Sequence, residues 1–159
     1  MVSEKFTVRV ATLFGLGWSS VMPGTIGALF GTLFYAVVVR NLRPLSAIFT
    51  VCFMVLAAIM VCDVAAREIG EEDPPCIIFD EFVAMPVCFL GVGGFAPRKI
   101  STFVLLLTGF VIFRTFDILK PFGIKKIERL SGGIGIVADD IAAAIYTNAA
   151  LLLICLTVA

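Results

Sequence analysis

The chain has 159 residues and a formal net charge of zero, and 60% of its residues are hydrophobic while only 15% are charged. Soluble domains carry about 25% charged residues, so this composition indicates a single domain, residues 1–159, embedded in a lipid bilayer. The balanced charge argues against nucleic-acid binding, and the absence of histidine excludes Ser-His-Asp, Cys-His and phosphohistidine chemistry as well as His-ligated metals.

Apolar runs follow one another along the chain at residues 26–39, 45–62, 82–95, 100–113 and 141–158. Their apolar residues are continuous rather than alternating, which predicts helices and disfavours a membrane barrel. The second and last runs are long enough to span a bilayer, and the first and fourth reach that length with their flanks. The third contains Pro86 and glycines, and it predicts either a bent span or a helix buried in the bundle. We therefore expect an all-α, multi-pass transmembrane helical bundle of four to five spans.

The five cysteines contain no C-x-x-C pair, and most of them lie within or beside apolar runs. Their odd number and irregular spacing argue against a disulfide framework. Because no histidine can lower a thiol pKa and the neighbours are mostly apolar, a catalytic thiolate is not expected.

The distribution of charge predicts an orientation. With five spans, one side of the membrane holds Lys5, Arg9, Arg67, Arg114, Lys120, Lys125, Lys126 and Arg129, whereas the other holds Arg40, Arg43, Arg98 and Lys99. The positive-inside rule makes the richer side cytoplasmic, with the N-terminus inside and the C-terminus outside. The acidic residues near the predicted span ends all fall on that same side, and they are Asp63, Asp80, Glu81, Asp117, Asp139 and Asp140.

Two acidic residues, Asp80 and Glu81, follow the apolar residues Ile77, Ile78 and Phe79. An ionised side chain at membrane depth costs about 2.5–3.5 kcal/mol on insertion scales, so a compensating cation is expected nearby. The alternative is that the two acids only complement the dipole at a helix N-terminus.

Arg114, Asp117 and Lys120 recur at a spacing of three and are followed by Pro121. On a helix they would share one face, where a cation, an anion and a cation could bind a phosphate while reaching a metal ion. The alternative is a ladder of salt bridges within the helix, which stabilises by only a few tenths of a kcal/mol.

A glycine-rich turn at residues 131–135 precedes the pair Asp139 and Asp140. Glycines let backbone N–H groups approach an anion, and paired carboxylates are hard oxygen ligands suited to Mg²⁺. The turn lacks the Lys-Ser/Thr ending of a P-loop, so nucleotide binding is not implied. Earlier in the chain, Thr25 follows Pro23 and Gly24, where it could cap a helix or contact a substrate. The acidic residues Glu68, Glu71, Glu72 and Asp73 predict a solvated loop.

Four ordered motifs resemble the phosphatidylglycerophosphatase A family from about Phe14 to Tyr146. They are Gly15-x-Gly17…Pro23-Gly24-Thr25-x-Gly27, Asp80-Glu81, Phe113-Arg114-x-Phe116-Asp117-x-x-Lys120-Pro121 and Gly132-Gly133-x-Gly135-Ile136-x-x-Asp139-Asp140. The resemblance implies a Mg²⁺-dependent phosphatase of the bacterial cytoplasmic (inner) membrane, with its active site facing the cytoplasm. Its expected reaction hydrolyses phosphatidylglycerophosphate to phosphatidylglycerol and inorganic phosphate, in phospholipid biosynthesis. Departures at Ser20, where the family usually has Pro, and at Ala84 and Ala144, where Gly is common, affect packing more than ligands.

The residues and the resemblance together predict the site. Asp80, Glu81, Asp139 and Asp140 are the favoured Mg²⁺ ligands, with Asp117 close behind and Asp63 possible. Arg114 and Lys120, with Thr25, would hold the phosphoryl oxygens, and one of the carboxylates Asp80, Glu81, Asp117, Asp139 and Asp140 would be the general base. A covalent phosphate on Asp117 or Asp80 is the mechanistic alternative, although the chain lacks a D-x-D-x-T motif. An ion or proton transporter and a non-catalytic protein that binds anionic lipids are the alternative functions.

Overall fold

The structure is a computed structural model, and it describes residues 2–97, 99–121, 123–127 and 130–158. Over these ranges it contains helices and no strand, so the expected all-α class is confirmed. The helices are α1 (Val2–Ala11), α2 (Pro23–Val37), α3 (Pro44–Ile69), α4 (Phe79–Phe89), α5 (Thr102–Leu119), α6 (Ile124–Ile127) and α7 (Gly133–Val158), with single 3₁₀ turns at Leu16–Trp18, Val39–Asn41 and Val92–Gly94. Arg98 and Arg129, which entered the predicted orientation, lie outside the described residues.

Four of the described helical segments are long and apolar enough to cross a membrane, namely Pro23–Asn41, Pro44–Ile69, Thr102–Leu119 and Gly133–Val158. Large apolar side chains such as Phe53, Met60, Phe103 and Leu153 are exposed on them. A continuous apolar exterior of this kind is stable when lipid surrounds it. The multi-pass bundle expected from the sequence is therefore the observed architecture.

Helix α4 resolves the choice left open for the third apolar run. Its 11 residues would extend over about 16 Å at 1.5 Å per residue, which is too short to span a bilayer. It packs in the centre of the bundle against α2, α3 and α7. The run is therefore a short buried helix that begins at Phe79 and carries the acidic pair Asp80 and Glu81 in its first turn.

The C-terminal end of α4 lies inside the bundle, where its free carbonyl groups need partners because lipid offers none. The side-chain amide of Asn148 in α7 shares its two N–H groups among three carbonyls. It donates to the carbonyl oxygens of Val87, Cys88 and Leu90 at 3.2, 3.1 and 2.9 Å. The Tyr35 hydroxyl of α2 donates to the carbonyl of Phe89 at 3.2 Å. These bonds explain how a helix can end among apolar side chains.

Small residues on one face of α2 allow α4 to approach closely. A Cβ atom at Gly27 would lie 2.6 Å from the carbonyl oxygen of Ile78, and one at Gly31 would lie 2.9 Å from Cβ of Met85. Close approach through glycine is a common packing device between helices in membranes. It places the first turn of α2 beside the first turn of α4, where the acidic pair lies.

Two predicted helix boundaries are wrong. Helix α3 continues to Ile69 and helix α7 already begins at Gly133. Asp63 therefore does not end its span, and Asp139 and Asp140 lie in the second turn of α7 rather than at its start. Each helix extends beyond its apolar part and carries charged groups there, such as Asp63, which pairs with Arg67 and accepts a hydrogen bond from the backbone of Gly133.

Candidate active site

Three carboxylates from two helices meet at one point. Asp80 and Glu81 come from the first turn of α4, and Asp140 comes from α7. Each offers one oxygen atom, and these oxygens all lie within 4.8 Å of one another. Asp80 is 6% exposed and Asp140 is 4% exposed. We refer to Asp80, Glu81 and Asp140 as the three-carboxylate cluster.

Two carboxylate oxygens of the cluster lack hydrogen-bond partners among the described residues. They are Oδ1 of Asp80 and Oε2 of Glu81, and both are buried. Buried polar atoms are normally hydrogen-bonded, and like charges this close oppose ionisation unless a cation balances them. The arrangement therefore fits a divalent cation better than it fits a purely structural role.

Arg114 lies beside the cluster on α5. Its guanidinium pairs with Asp117 one turn later, and its Nη1 lies 3.8 Å from Oε1 of Glu81. Asp117 in turn lies beside Asp140. The Nε atom of Arg114 is buried and has no hydrogen-bond partner among the described residues. The predicted pair of Arg114 and Asp117 within α5 is therefore present. Arg114 also lies near Glu81 of α4, and Asp117 lies beside Asp140 of α7.

Lys120 does not share the α5 face with Arg114 and Asp117, so this detail of the predicted spacing is wrong. It follows the last residue of α5 in the left-handed conformation, with φ of 44°, which ends the helix. Its Nζ donates to Oδ2 of Asp139 at 2.8 Å. Oδ1 of Asp139 also accepts a hydrogen bond from the backbone N–H of Asp140 at 3.0 Å. Asp139 and Asp117 are therefore each paired with a cation, outside the three-carboxylate cluster.

The first turn of α2 closes another side of the site. Met22, rather than Thr25, precedes the helix at its N-cap position, and φ of Met22 is 46°. The Oγ1 atom of Thr25 is buried and has no hydrogen-bond partner among the described residues, so the capping prediction is wrong. A Cβ atom at Gly24 would overlap the Glu81 carboxylate and lie 3.2 Å from Nη1 of Arg114. Only glycine allows α2 to approach the charged groups this closely.

These groups surround a cavity of about 400 Å³, which we call the catalytic cavity. All five predicted carboxylates line it, together with both predicted cations. Its described lining residues are Met22, Pro23, Gly24, Asp73, Pro74, Pro75, Ile77, Asp80, Glu81, Arg114, Asp117, Ile118, Lys120, Ile136, Asp139 and Asp140. The sequence-based expectation that carboxylates from different helices meet at one end of the bundle is thus observed as geometry.

Asp73 is the residue that sequence reasoning missed. It is exposed in the loop together with Glu71 and Glu72, which confirms the expected solvated loop, but it also lines the catalytic cavity. The signal was available in the chain, because Pro74 and Pro75 follow directly and restrict a short connection that ends at Asp80.

Asp63 and the glycine-rich turn lie on the other side of Asp73. Oδ1 of Asp63 accepts a hydrogen bond from the backbone N–H of Gly133 at 3.1 Å, and the carboxylate also pairs with Arg67. The start of α7 therefore holds a carboxylate of the protein itself. Asp63 lies outside the three-carboxylate cluster. It lines a second cavity of about 820 Å³, which shares Asp73 and Ile136 with the first.

No described feature points to thiol chemistry. Cys52 is exposed, whereas Cys62, Cys76, Cys88 and Cys155 are buried. Burial raises the pKa of the Cys76 thiol, and the charge of Glu71 raises it further. Such a thiol stays protonated at neutral pH and is a poor nucleophile.

The sequence model of the family described as "Phosphatidylglycerophosphatase A" matches residues 9–155. The chain belongs to this family. Two curated proteins named phosphatidylglycerophosphatase A are similar to it. The one from Haemophilus influenzae is 36% identical over 86% of this chain and 81% of its own length. The one from Escherichia coli is 30% identical over 87% of this chain and 77% of its own length.

A third relative, from Bacteroides thetaiotaomicron, is provisionally named a phosphatidylinositol-3-phosphatase. It is 31% identical over 88% of this chain and 87% of its own length. No solved structure matches the chain. Membership of the phosphatidylglycerophosphatase A family confirms the resemblance carried by the four motifs, and it makes the chain a lipid phosphatase that acts on a phosphate monoester. The transporter and the non-catalytic lipid-binding alternatives are thereby set aside.

Proposed function

We propose that this enzyme is a Mg²⁺-dependent phosphatase that hydrolyses phosphatidylglycerophosphate to phosphatidylglycerol and inorganic phosphate in phospholipid biosynthesis. We place it in the bacterial cytoplasmic (inner) membrane with the catalytic cavity facing the cytoplasm. The observation that carries the proposal is the three-carboxylate cluster, with its unpartnered buried oxygens, beside Arg114. The names of the Haemophilus influenzae and Escherichia coli relatives support the choice of substrate.

The donor set of the cluster suits Mg²⁺. All three side chains offer oxygen, the ligand type that Mg²⁺ prefers, and the cavity leaves room for waters that Mg²⁺ retains. We assign Asp80, Glu81 and Asp140 as the residues that hold it. When bound, Mg²⁺ would offset the phosphate charge and make a water molecule more acidic.

The cations of the cavity bind the phosphate in this proposal. Arg114 presents a planar guanidinium that matches two phosphoryl oxygens, and Lys120 adds a point charge. Both are held in place by carboxylates, Asp117 and Asp139, before the substrate arrives. Groups fixed in this way stabilise developing charge without having to reorganise. Thr25 is absent from the described lining of the cavity and its Oγ1 is buried, so we assign it no contact with the phosphate.

A carboxylate outside the cluster accepts the proton of the attacking water. Asp117 and Asp139 both line the cavity and neither belongs to the three-carboxylate cluster, so we assign the general base to one of them. The alternative is an aspartyl-phosphate on Asp117 or Asp80. Trapping with substrate labelled in the terminal phosphate separates the two mechanisms, because a labelled Asp would contradict direct attack by water.

A panel of lipids tests the function. Purified protein in detergent micelles is given phosphatidylglycerophosphate, phosphatidylinositol 3-phosphate or phosphatidic acid, with Mg²⁺ or with EDTA, and phosphate release is measured. We expect Mg²⁺-dependent release that is fastest from phosphatidylglycerophosphate. Full activity in EDTA would contradict the proposed dependence on Mg²⁺. Faster release from phosphatidylinositol 3-phosphate would reassign the substrate in line with the name of the Bacteroides relative.

A further inference from the structure

The catalytic cavity has one apolar edge. Met22, just before α2, and Ile118, in the last turn of α5, both line the cavity. They are also 59% and 63% exposed, respectively. Met22 directly precedes one segment that can cross a membrane and Ile118 lies at the end of another, positions that correspond to the level of the lipid headgroups. We refer to Met22 and Ile118 as the apolar edge.

The rest of the rim is different in character. Asp73, Pro74 and Pro75 belong to the connection between α3 and α4, outside the spanning segments. Asp73 is exposed and charged, which suits contact with water. The lining therefore combines apolar residues near the ends of spanning segments with an exposed acid outside them, together with Arg114 and the three-carboxylate cluster.

The backbone conformation at the start of α2 places the apolar edge next to the charged groups. Gly24 brings the first turn of α2 against Arg114 and Glu81, because any side chain there would overlap the Glu81 carboxylate. Two residues earlier, Met22 has a left-handed backbone conformation, which turns the chain sharply before the helix. The polar site and the apolar edge thus lie next to each other on one short segment.

We propose that the apolar edge is a lateral portal, where the diacylglycerol part of a lipid substrate lies between α2 and α5 while its phosphate is in the catalytic cavity. This inference rests on the proposed function. Two acyl chains leave a bilayer only at a large cost in free energy, since every methylene group exposed to water adds to it. A portal at this edge lets the lipid react without leaving the membrane, and it lets free phosphate depart on the side of Asp73.

Neighbouring residues provide matched controls. Val21 and Leu119 directly adjoin the portal residues, and they are 68% and 64% exposed, but neither lines the cavity. The test compares the double variant Met22→Trp/Ile118→Trp with Val21→Trp/Leu119→Trp. Tryptophan is bulky enough to narrow the portal, yet it is well tolerated at the membrane interface. Each variant is assayed with long-chain phosphatidylglycerophosphate in mixed micelles and with water-soluble glycerol phosphate.

The measured quantity is kcat/KM for the lipid divided by kcat/KM for the soluble ester. We expect this ratio to fall about tenfold in the portal variant, the size of a steric misfit in an apolar pocket, and to stay unchanged in the control. An unchanged ratio in the portal variant, or an equal fall in both variants, would overturn the portal. If the wild-type enzyme releases no phosphate from the lipid, the proposed function fails instead.

A second measurement needs no turnover. A phospholipid with a photoreactive diazirine near the glycerol end of one acyl chain is bound to the wild-type protein in EDTA and irradiated. We expect the label on the peptides that contain Met22 and Ile118. Label found only on other lipid-facing segments, such as the middle of α3, would overturn the portal.

Discussion

Replacing Asp80 with Asn is expected to stabilise the metal-free protein and to abolish its response to Mg²⁺. The oxygens of Asp80, Glu81 and Asp140 lie within 4.8 Å of one another, and at an effective dielectric constant of about 20 two unit charges at that distance repel by about 3.5 kcal/mol. Asn keeps the shape of the side chain and removes its charge from two of the three pairs. Because protonation already relieves part of this repulsion, we expect a gain of about 2–4 kcal/mol.

The same substitution removes one metal ligand. Mg²⁺ at a hundred times its dissociation constant would stabilise the wild-type protein by about 2.7 kcal/mol, whereas Asp80→Asn should gain far less. Thermal unfolding in detergent can be followed with a thiol-reactive dye, because four cysteines are buried and become reactive on unfolding, namely Cys62, Cys76, Cys88 and Cys155. The midpoint temperature is measured in EDTA and in Mg²⁺ for each variant.

Asp63→Asn is the matched control. It makes the same chemical change outside the cluster, in a carboxylate that pairs with the largely exposed Arg67. We expect a loss of about 1–2 kcal/mol in EDTA, because the substitution removes the ion pair with Arg67 and the carboxylate charge at the start of α7, and we expect an unchanged response to Mg²⁺. Destabilisation of the metal-free protein by Asp80→Asn would contradict repulsion within the cluster, and equal stabilisation of that variant and the wild-type protein by Mg²⁺ would contradict the role of Asp80 as a ligand.

Three further substitutions test other parts of the site and fold. Gly24→Ala should lower kcat/KM by about tenfold or more, because the added methyl group displaces the side chains of Glu81 and Arg114. Gly93→Ala is the control, since a methyl group there meets open space. Equal rates in the two variants would contradict the assigned contact. Asp73→Asn should slow phosphate release, while Glu72→Gln, outside the catalytic cavity, should leave the rate unchanged; the reverse order would remove Asp73 from the site. Asn148→Leu should lower the free energy of unfolding by about 2–4 kcal/mol, because buried carbonyls lose their donor, and an unchanged midpoint temperature would refute that role.

The spanning helices were predictable because their signal is local. A long uncharged run such as residues 45–62 has no stable alternative to a helix in lipid. The convergence of the acids was predicted by counting the third apolar run as a crossing, although α4 alone is too short to span the bilayer. The length of α4 was not predictable, because its end depends on Asn148, which is far away in sequence and donates to the free carbonyls of that end.

The details of the site depend on turns that sequence spacing does not describe. Lys120 was placed on the α5 face by its spacing, but its left-handed backbone conformation ends the helix and turns the side chain toward Asp139. The glycine-rich turn was predicted to bind an anion through its backbone N–H groups, but the N–H of Gly133 already donates to the Asp63 carboxylate. Asp73 was grouped with its acidic neighbours by composition, although it lines the catalytic cavity together with Pro74 and Pro75. For Lys120 and for the glycine-rich turn, a contact with a residue distant in sequence decided the outcome.

The position of a bound divalent cation tests the central claim most directly. Mn²⁺ can replace Mg²⁺ at oxygen sites, and its anomalous scattering in a crystal locates it independently of activity. We predict the strongest anomalous peak among the carboxylates of Asp80, Glu81 and Asp140, and its loss in Asp140→Asn. A peak beside Asp63 or Asp139 instead, or none among the three carboxylates at saturating Mn²⁺, would contradict the account.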